Sequence, residues 1–214
     1  NPRVRELAEH AGREGVQDNT ESRAVLDRRC EDQRHQDVTA EFDAVNIGTE
    51  KDLDGILKSI EGTPLVLVLD GVQDPHNLGA CLRTAEAAGV DLVILPKDRS
   101  AGLTPVSRRS ASGAAEVLTI LFVTNLARVL RRLKEGGIWL AGATDSAKQE
   151  LYDTDLSGPI GLVMGSEGKG MRRLTAESCD YHIRIPMLGS VNSLNVSVAN
   201  AVCLYEIVRQ RRSA

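Results

Sequence analysis

The chain has 214 residues, 42% of them hydrophobic, with 26 basic side chains against 30 acidic ones and a formal net charge of −4. That supplies one sizeable core with a smaller appendage, and the negative balance leaves any grip on a polyanion to local basic patches. The chain holds no run of about 18 apolar residues and no charged-then-apolar start, which argues against membrane insertion and secretion, and its four cysteines and four histidines lack the spacing of a disulfide framework or a zinc site.

Residues 1–42 come first, and the stretch from Gly15 to Arg34 is polar and dense in charge. Residues 43–62 carry Gly48, Gly55 and Gly62 among acidic and polar positions and read as a linker. The apolar run Leu65 to Leu69 is too short for a helix and rich in β-formers, so a buried strand is predicted through Asp70. An Ala-rich helix follows, expected to be capped by Asn77 and stopped at Gly89. Strands at Asp91–Leu95, Val117–Val123 and Ile138–Ala143 alternate with helices near Pro105–Gly113 and Asn125–Glu135. Strands at Ile160–Met164 and Tyr181–Ile185 precede a C-terminal helix for which Ser193 is the natural cap. Such alternation predicts a parallel α/β sheet.

Three blocks break the pattern, each placing polar residues and glycine where a strand enters a helix. In the first, Arg83 lies six residues past Asn77 among apolar neighbours, and its plain alternative is a surface ion pair. The second is the glycine-rich loop Gly165-Ser166-Glu167-Gly168-Lys169-Gly170. Its glycines run G-x-x-G-x-G, Gly170 stands where a phosphate-binding loop needs Ser or Thr, and the charge of Glu167 would repel a phosphate. A carboxylate there suits orienting an arginine or a hydroxyl. In the third, Asn192, Asn195 and Ser197 interrupt the entry to an apolar helix, which capping by Ser193 alone does not explain.

Together the blocks resemble the SpoU, or TrmH-like, branch of the SPOUT RNA 2′-O-ribose methyltransferases. The motifs stand as Asn77-x-Gly79 through Arg83-Thr84-Ala85, Val163-Met164-Gly165-Ser166-Glu167-Gly168-x-Gly170, and Ile185-Pro186-Met187 through Ser193-Leu194-Asn195-Val196-Ser197. Stretches outside them, such as Pro96-Lys97-Asp98-Arg99-Ser100, are most similar to members that methylate a guanosine ribose in bacterial large-subunit ribosomal RNA. The resemblance implies a parallel sheet with helices on both faces and a C-terminal trefoil knot, the SPOUT fold, over residues 63–214. It further implies a partial N-terminal domain of the L30e type over residues 1–42, with Asp37 where relatives tend to have glycine, and a linker over 43–62.

S-adenosyl-L-methionine is the implied cofactor, with Gly165, Ile185 and Leu194 contacting it; core burial is the plain reading for the last two. The implied catalytic group is Arg83, as general base or as a clamp for phosphate and oxyanion, with Glu167 holding it and Asn77, Ser193 and Asn195 orienting the ribose. Candidates for contact with RNA are Arg108 and Arg109, the helix carrying Arg128, Arg131, Arg132 and Lys134, the pair Arg172 and Arg173, and the tail Arg209, Arg211 and Arg212; each taken alone reads as a solvated face, and Arg108, Arg109 and Arg172, nearest the motifs, are the preferred ones. A homodimer through the knot and the last helix, a cytoplasmic location and no metal complete the expectation. The competing readings are a 2′-O-methyltransferase of the same branch acting on transfer RNA or another ribosomal site, and an RNA-binding α/β module without catalysis.

Overall fold

A computed structural model describes residues 2–30, 35–41 and 47–213. The chain divides into two compact units, residues 1–44 and 45–214. In the first, α1 (Pro2–Arg13) and α2 (Arg23–Arg29) bury none of their residues. His35 Nε2 meets Asp27 Oδ1 at 2.9 Å, and Asp37 adopts φ +67°, a left-handed conformation that glycine takes freely and Asp tolerates. The expected boundary between residues 42 and 43 lies outside the described residues, as does the part of the charge-dense stretch at 31–34.

The second unit opens with β1 (Ile47–Thr49) and α3 (Leu53–Ser59), so part of the expected linker is regular structure. β1 pairs with the sheet, and α3 is held by the fully buried Leu53 with Ile56 and Leu57 packed against the same core. There follow β2 (Leu65–Asp70), α4 (Pro75–Ala87), β3 (Leu92–Pro96), α5 (Pro105–Ala111), α6 (Ala114–Val117), β4 (Ile120–Val123), α7 (Leu126–Glu135) and β5 (Trp139–Ala143). The chain ends through β6 (Gln149–Glu150), β7 (Ile160–Gly165), α8 (Arg173–Ser178), β8 (Tyr181–Arg184) and α9 (Val196–Ser213). The strand expected from Val117 begins at Ile120, because Val117 closes α6 and is 62% exposed.

The strands form one sheet in the order β1-β4-β3-β2-β7-β5-β8-β6, and every pairing is parallel. Side chains of a strand alternate between faces, and here both faces are dry. Leu65, Leu67 and Leu69 join a core with α4, α5, α6 and α9, whereas Val66 and Val68 join another with α3 and α7. Helices therefore cover both faces of the sheet.

Helix starts correct two expectations. α4 is capped by Asp74, whose carboxylate accepts the His76 N–H at 2.8 Å with Pro75 in the first turn, so Asn77 lies inside the helix. Ser193 stands three residues before α9, and Asn195 does the capping, its Oδ1 accepting the Ser197 N–H at 2.9 Å and the Ser197 hydroxyl at 2.6 Å. An Asp before proline and an Asn directly before the first helical turn each outcompete a more distant polar residue, because capping is a contact over two or three residues.

Candidate active site

From β2 the chain steps outward through β3 to β4, then crosses to place β5 on the other side, with β7 inserted between β2 and β5. In open parallel sheets such a reversal marks a crevice at the carboxyl ends of the strands beside it, here those of β2 and β7, where Asp70 is in register with Gly165. The first two polar blocks open there, and the third follows β8 and returns to it through Asn195.

Gly165 ends β7 and begins a tight fold-back. Ser166 and Gly170 exchange backbone hydrogen bonds at 2.9 and 3.0 Å, and a β-carbon on Gly165 would stand 2.2 Å from the Gly170 carbonyl carbon and the Met171 nitrogen. Only glycine lets this loop close. Its far end is pinned to β2: Asp70, whose side chain is wholly buried, accepts the Arg172 backbone N–H at 2.8 Å and its Nε at 2.6 Å, with Nη2 at 2.5 Å. A buried carboxylate demands such partners, and three donors satisfy it. The acid closing the run Leu-Val-Leu-Val-Leu-Asp is the signal that could have found this pair in the sequence, since Asp is rarely buried unpaired.

The fold-back carries Glu167 to the crevice. Its Oε1 accepts the side-chain amide of Asn77 at 2.6 Å and that of Asn195 at 2.9 Å, and Asn195 Nδ2 also donates to Asn77 Oδ1 at 3.1 Å. One residue from each block thus meets in a single network, which is exposed to solvent. Beneath it lies Cys81, its thiol pushed up to about 12 by burial and then by the charge of Glu167. A second glycine seats α4: a β-carbon on Gly79 would lie 2.4 Å from the Ser107 carbonyl oxygen and from Ser110 Cβ, so α5 rests directly on the helix that bears Asn77.

Arg83 is exposed and makes no ion pair or hydrogen bond with the described residues, which corrects the expectation that Glu167 holds it. Six helical residues turn about 240° around the axis, so Arg83 leaves α4 on a different side from Asn77. Ser193 is exposed and Leu194 half-buried, in a segment, Met187 to Leu194, that makes no hydrogen bond with any described residue; Ile185 packs against the main core. Among the three arginines preferred for contact with RNA, Arg108 binds both carboxylate oxygens of Glu116 at 2.5 and 2.6 Å and Arg172 is taken by Asp70. Arg109 alone of the three is exposed with a side chain that pairs with nothing among the described residues. Those residues contain no group of three or more His, Cys, Asp and Glu able to hold a metal ion, and no helix long and apolar enough to cross a membrane.

Comparison with known proteins identifies the family. The model of the SpoU rRNA methylase family matches residues 64–205. A protein of Pseudomonas putida named 23S rRNA (guanosine-2′-O-)-methyltransferase RlmB is 58% identical over 178 residues, covering 83% of this chain and 72% of that protein. Its namesake in Xanthomonas campestris is 49% identical over 214 residues, covering 100% of this chain and 86% of the relative. Among solved structures, the SpoU methyltransferase AviRb of Streptomyces viridochromogenes in complex with AdoMet superposes with a TM-score of 0.70 at 31% identity, over 76% of this chain and 66% of that one. The TrmH/SpoU tRNA modifying enzyme of A. aeolicus gives 0.65 at 30% identity, over 77% and 83%. With the three blocks in register and joined at one crevice, the chain belongs to the SpoU rRNA methylase family.

Proposed function

We propose that this chain transfers the methyl group of S-adenosyl-L-methionine to the ribose 2′-hydroxyl of a guanosine in 23S ribosomal RNA. The observation that carries this reading is the Glu167 carboxylate held by Asn77 and Asn195, which unites the three motifs at the switch point of the sheet. Relatives named for that reaction, at 49% to 58% identity over most of the chain, support the choice of substrate.

When bound, S-adenosylmethionine supplies an electrophilic methyl on a sulfonium. The residues present fit it. Backbone N–H and C=O groups of Met187 to Leu194 are uncommitted among the described residues, and Ile185 and Leu194 offer half-buried apolar surface beside them. With Gly165 they are the residues proposed to hold the cofactor, in a trefoil knot made by the chain that follows β7 and β8. Pockets for small ligands combine such apolar walls with a few placed polar groups.

Transfer to a ribose requires an oxygen aimed in line and relieved of its proton. A guanidinium stays protonated in proteins, so Arg83 acts as a clamp for the target's phosphate and for the charge that develops on the oxygen, and the hydroxyl proton passes to solvent water at this exposed site as the methyl–sulfur bond breaks. Having no protein partner among the described residues leaves it free for that task. Glu167 orients the two asparagine amides, and the uncommitted Ser193 hydroxyl adds a donor or acceptor for the sugar. Arg109 adds positive charge for RNA. Val198 and Tyr205, 48% and 52% exposed on α9, with Leu188 at 99%, suit an isologous homodimer whose partner covers them. Residues 1–42 are proposed as part of an L30e-type RNA-binding domain joined through residues 43–62, and a ribosomal substrate goes with a cytoplasmic location.

Incubation with tritiated donor should label 23S RNA, and primer extension should stop at one ribose. Label on a base, or no label, would overturn the reaction class; label only on transfer RNA would overturn the substrate. Sedimentation should give a dimer at micromolar concentration, and a monomer there would remove the dimer.

A further inference from the structure

Arg99 lies in the loop between β3 and α5, exposed, with φ +59°. Glycine occupies that region without strain, and residues bearing a β-carbon rarely do. The surroundings hold it there. The Lys97 N–H donates to the Val123 carbonyl at 2.9 Å, the Ala101 N–H donates to the Val72 carbonyl at 2.7 Å, and the Ser100 hydroxyl donates to the same Val72 oxygen at 3.3 Å. A loop tied at both sides cannot relax its middle residue, so the arginine persists where glycine would serve the backbone better, and strain kept in this way clusters at functional positions.

Two independent observations say what the side chain is for. The first is place: a β-carbon on Gly71, the residue after β2, would lie 3.5 Å from the Arg99 carbonyl oxygen and 3.6 Å from Ser166 Cβ. Arg99 and the loop that carries Glu167 therefore flank the same glycine at the mouth of the crevice. The second is charge: Arg108 and Arg172 are neutralised by Glu116 and Asp70, whereas the Arg99 guanidinium makes no ion pair or hydrogen bond with the described residues. Lys97 and Lys169, in the loops after β3 and β7, are likewise exposed and unpaired there, and Asp98 is the one acid between Lys97 and Arg99.

We propose that Arg99 binds a backbone phosphate of the RNA strand as it enters the crevice, setting the register in which the reacting ribose is presented. The inference rests on the RNA reading above. It assigns Arg99 a positioning role, distinct from the group that meets the reacting oxygen.

The substitution Arg99→Gly separates contact from fold, because it removes the guanidinium at a position whose backbone suits glycine. With the whole chain and a 23S RNA fragment, fluorescence anisotropy over a series of salt concentrations should show the Kd raised about fivefold or more and the slope of log affinity against log salt reduced by about one. The melting temperature should stay level or rise, and calorimetric affinity for adenosylmethionine should not change. Arg99→Asn, which also tolerates the left-handed backbone, should lose RNA affinity to the same extent. Parental affinity and slope in the glycine variant would overturn the inference, as would a loss seen with glycine but not with asparagine, since loop freedom would then be the cause. If the parent chain itself bound no RNA, the RNA reading would fall and this inference with it.

Discussion

Replacing Arg172 with methionine tests whether that residue is a pin for the Glu167 loop or a contact for RNA. Methionine keeps most of the apolar stem and removes the guanidinium, leaving the wholly buried Asp70 carboxylate with the Arg172 backbone N–H as its remaining donor. Removing one partner of a buried ion pair costs about 3–5 kcal/mol. Because the Arg172 side chain is 43% exposed, water already screens its end of the pair, and the expected loss is at the lower bound, about 3 kcal/mol. For a unit of this size each kcal/mol moves the melting temperature by roughly 2–4 °C, so a fall of about 6–12 °C should appear by scanning calorimetry, with a matching shift of the urea midpoint. Arg172→Met combined with Asp70→Asn should destabilise by less than the two singles summed, with a coupling of about 1 kcal/mol or more. A single-variant loss under about 1 kcal/mol would refute the pin, and the guanidinium would then be available to RNA as the sequence reading held.

Gly79→Ala should destabilise by about 3 kcal/mol, the upper range of overpacking, because its new β-carbon meets the Ser107 carbonyl oxygen at 2.4 Å and backbone cannot step aside; urea unfolding measures it. Arg83→Ala should abolish tritiated methyl transfer while calorimetric binding of adenosylmethionine survives; full activity would remove Arg83 from the chemistry. Burial pushes the thiols of Cys81, Cys179 and Cys203 up to about 12, so at pH 8 all three stay protonated. A thiolate-selective reagent at pH 8 should then spare Cys81, Cys179 and Cys203 in the native protein and label all three in urea, and labelling of any of them in the folded chain would refute the burial argument.

Patterns that act over a few residues were legible in the chain itself. Leu65 to Asp70 is apolar at every position, which suits only a strand covered on both faces, and the periodic apolar stripes of α4 and α7 with Gly89 after the first of them delimit those helices. Of the polar residues that interrupt strand-to-helix turns, Asn77, Glu167 and Asn195 meet in one network. Less visible were the caps at Asp74 and Asn195, where several polar residues compete within one turn, and the short β1 and α3, whose pairing partner and burial come from elsewhere.

What only the tertiary structure decided is who meets whom. Glu167 reaches an amide 90 residues away and Asn195 one 118 residues away because β7 inserts beside β2, and a sheet order is a property of the whole chain's packing. The same order delivers Arg172 to Asp70, 102 residues earlier, and so takes from RNA a charge that proximity in sequence had offered to it. Composition and periodicity set each segment's shape through its nearest neighbours. Pairing across such distances follows from which buried faces and carboxylates can be satisfied at once.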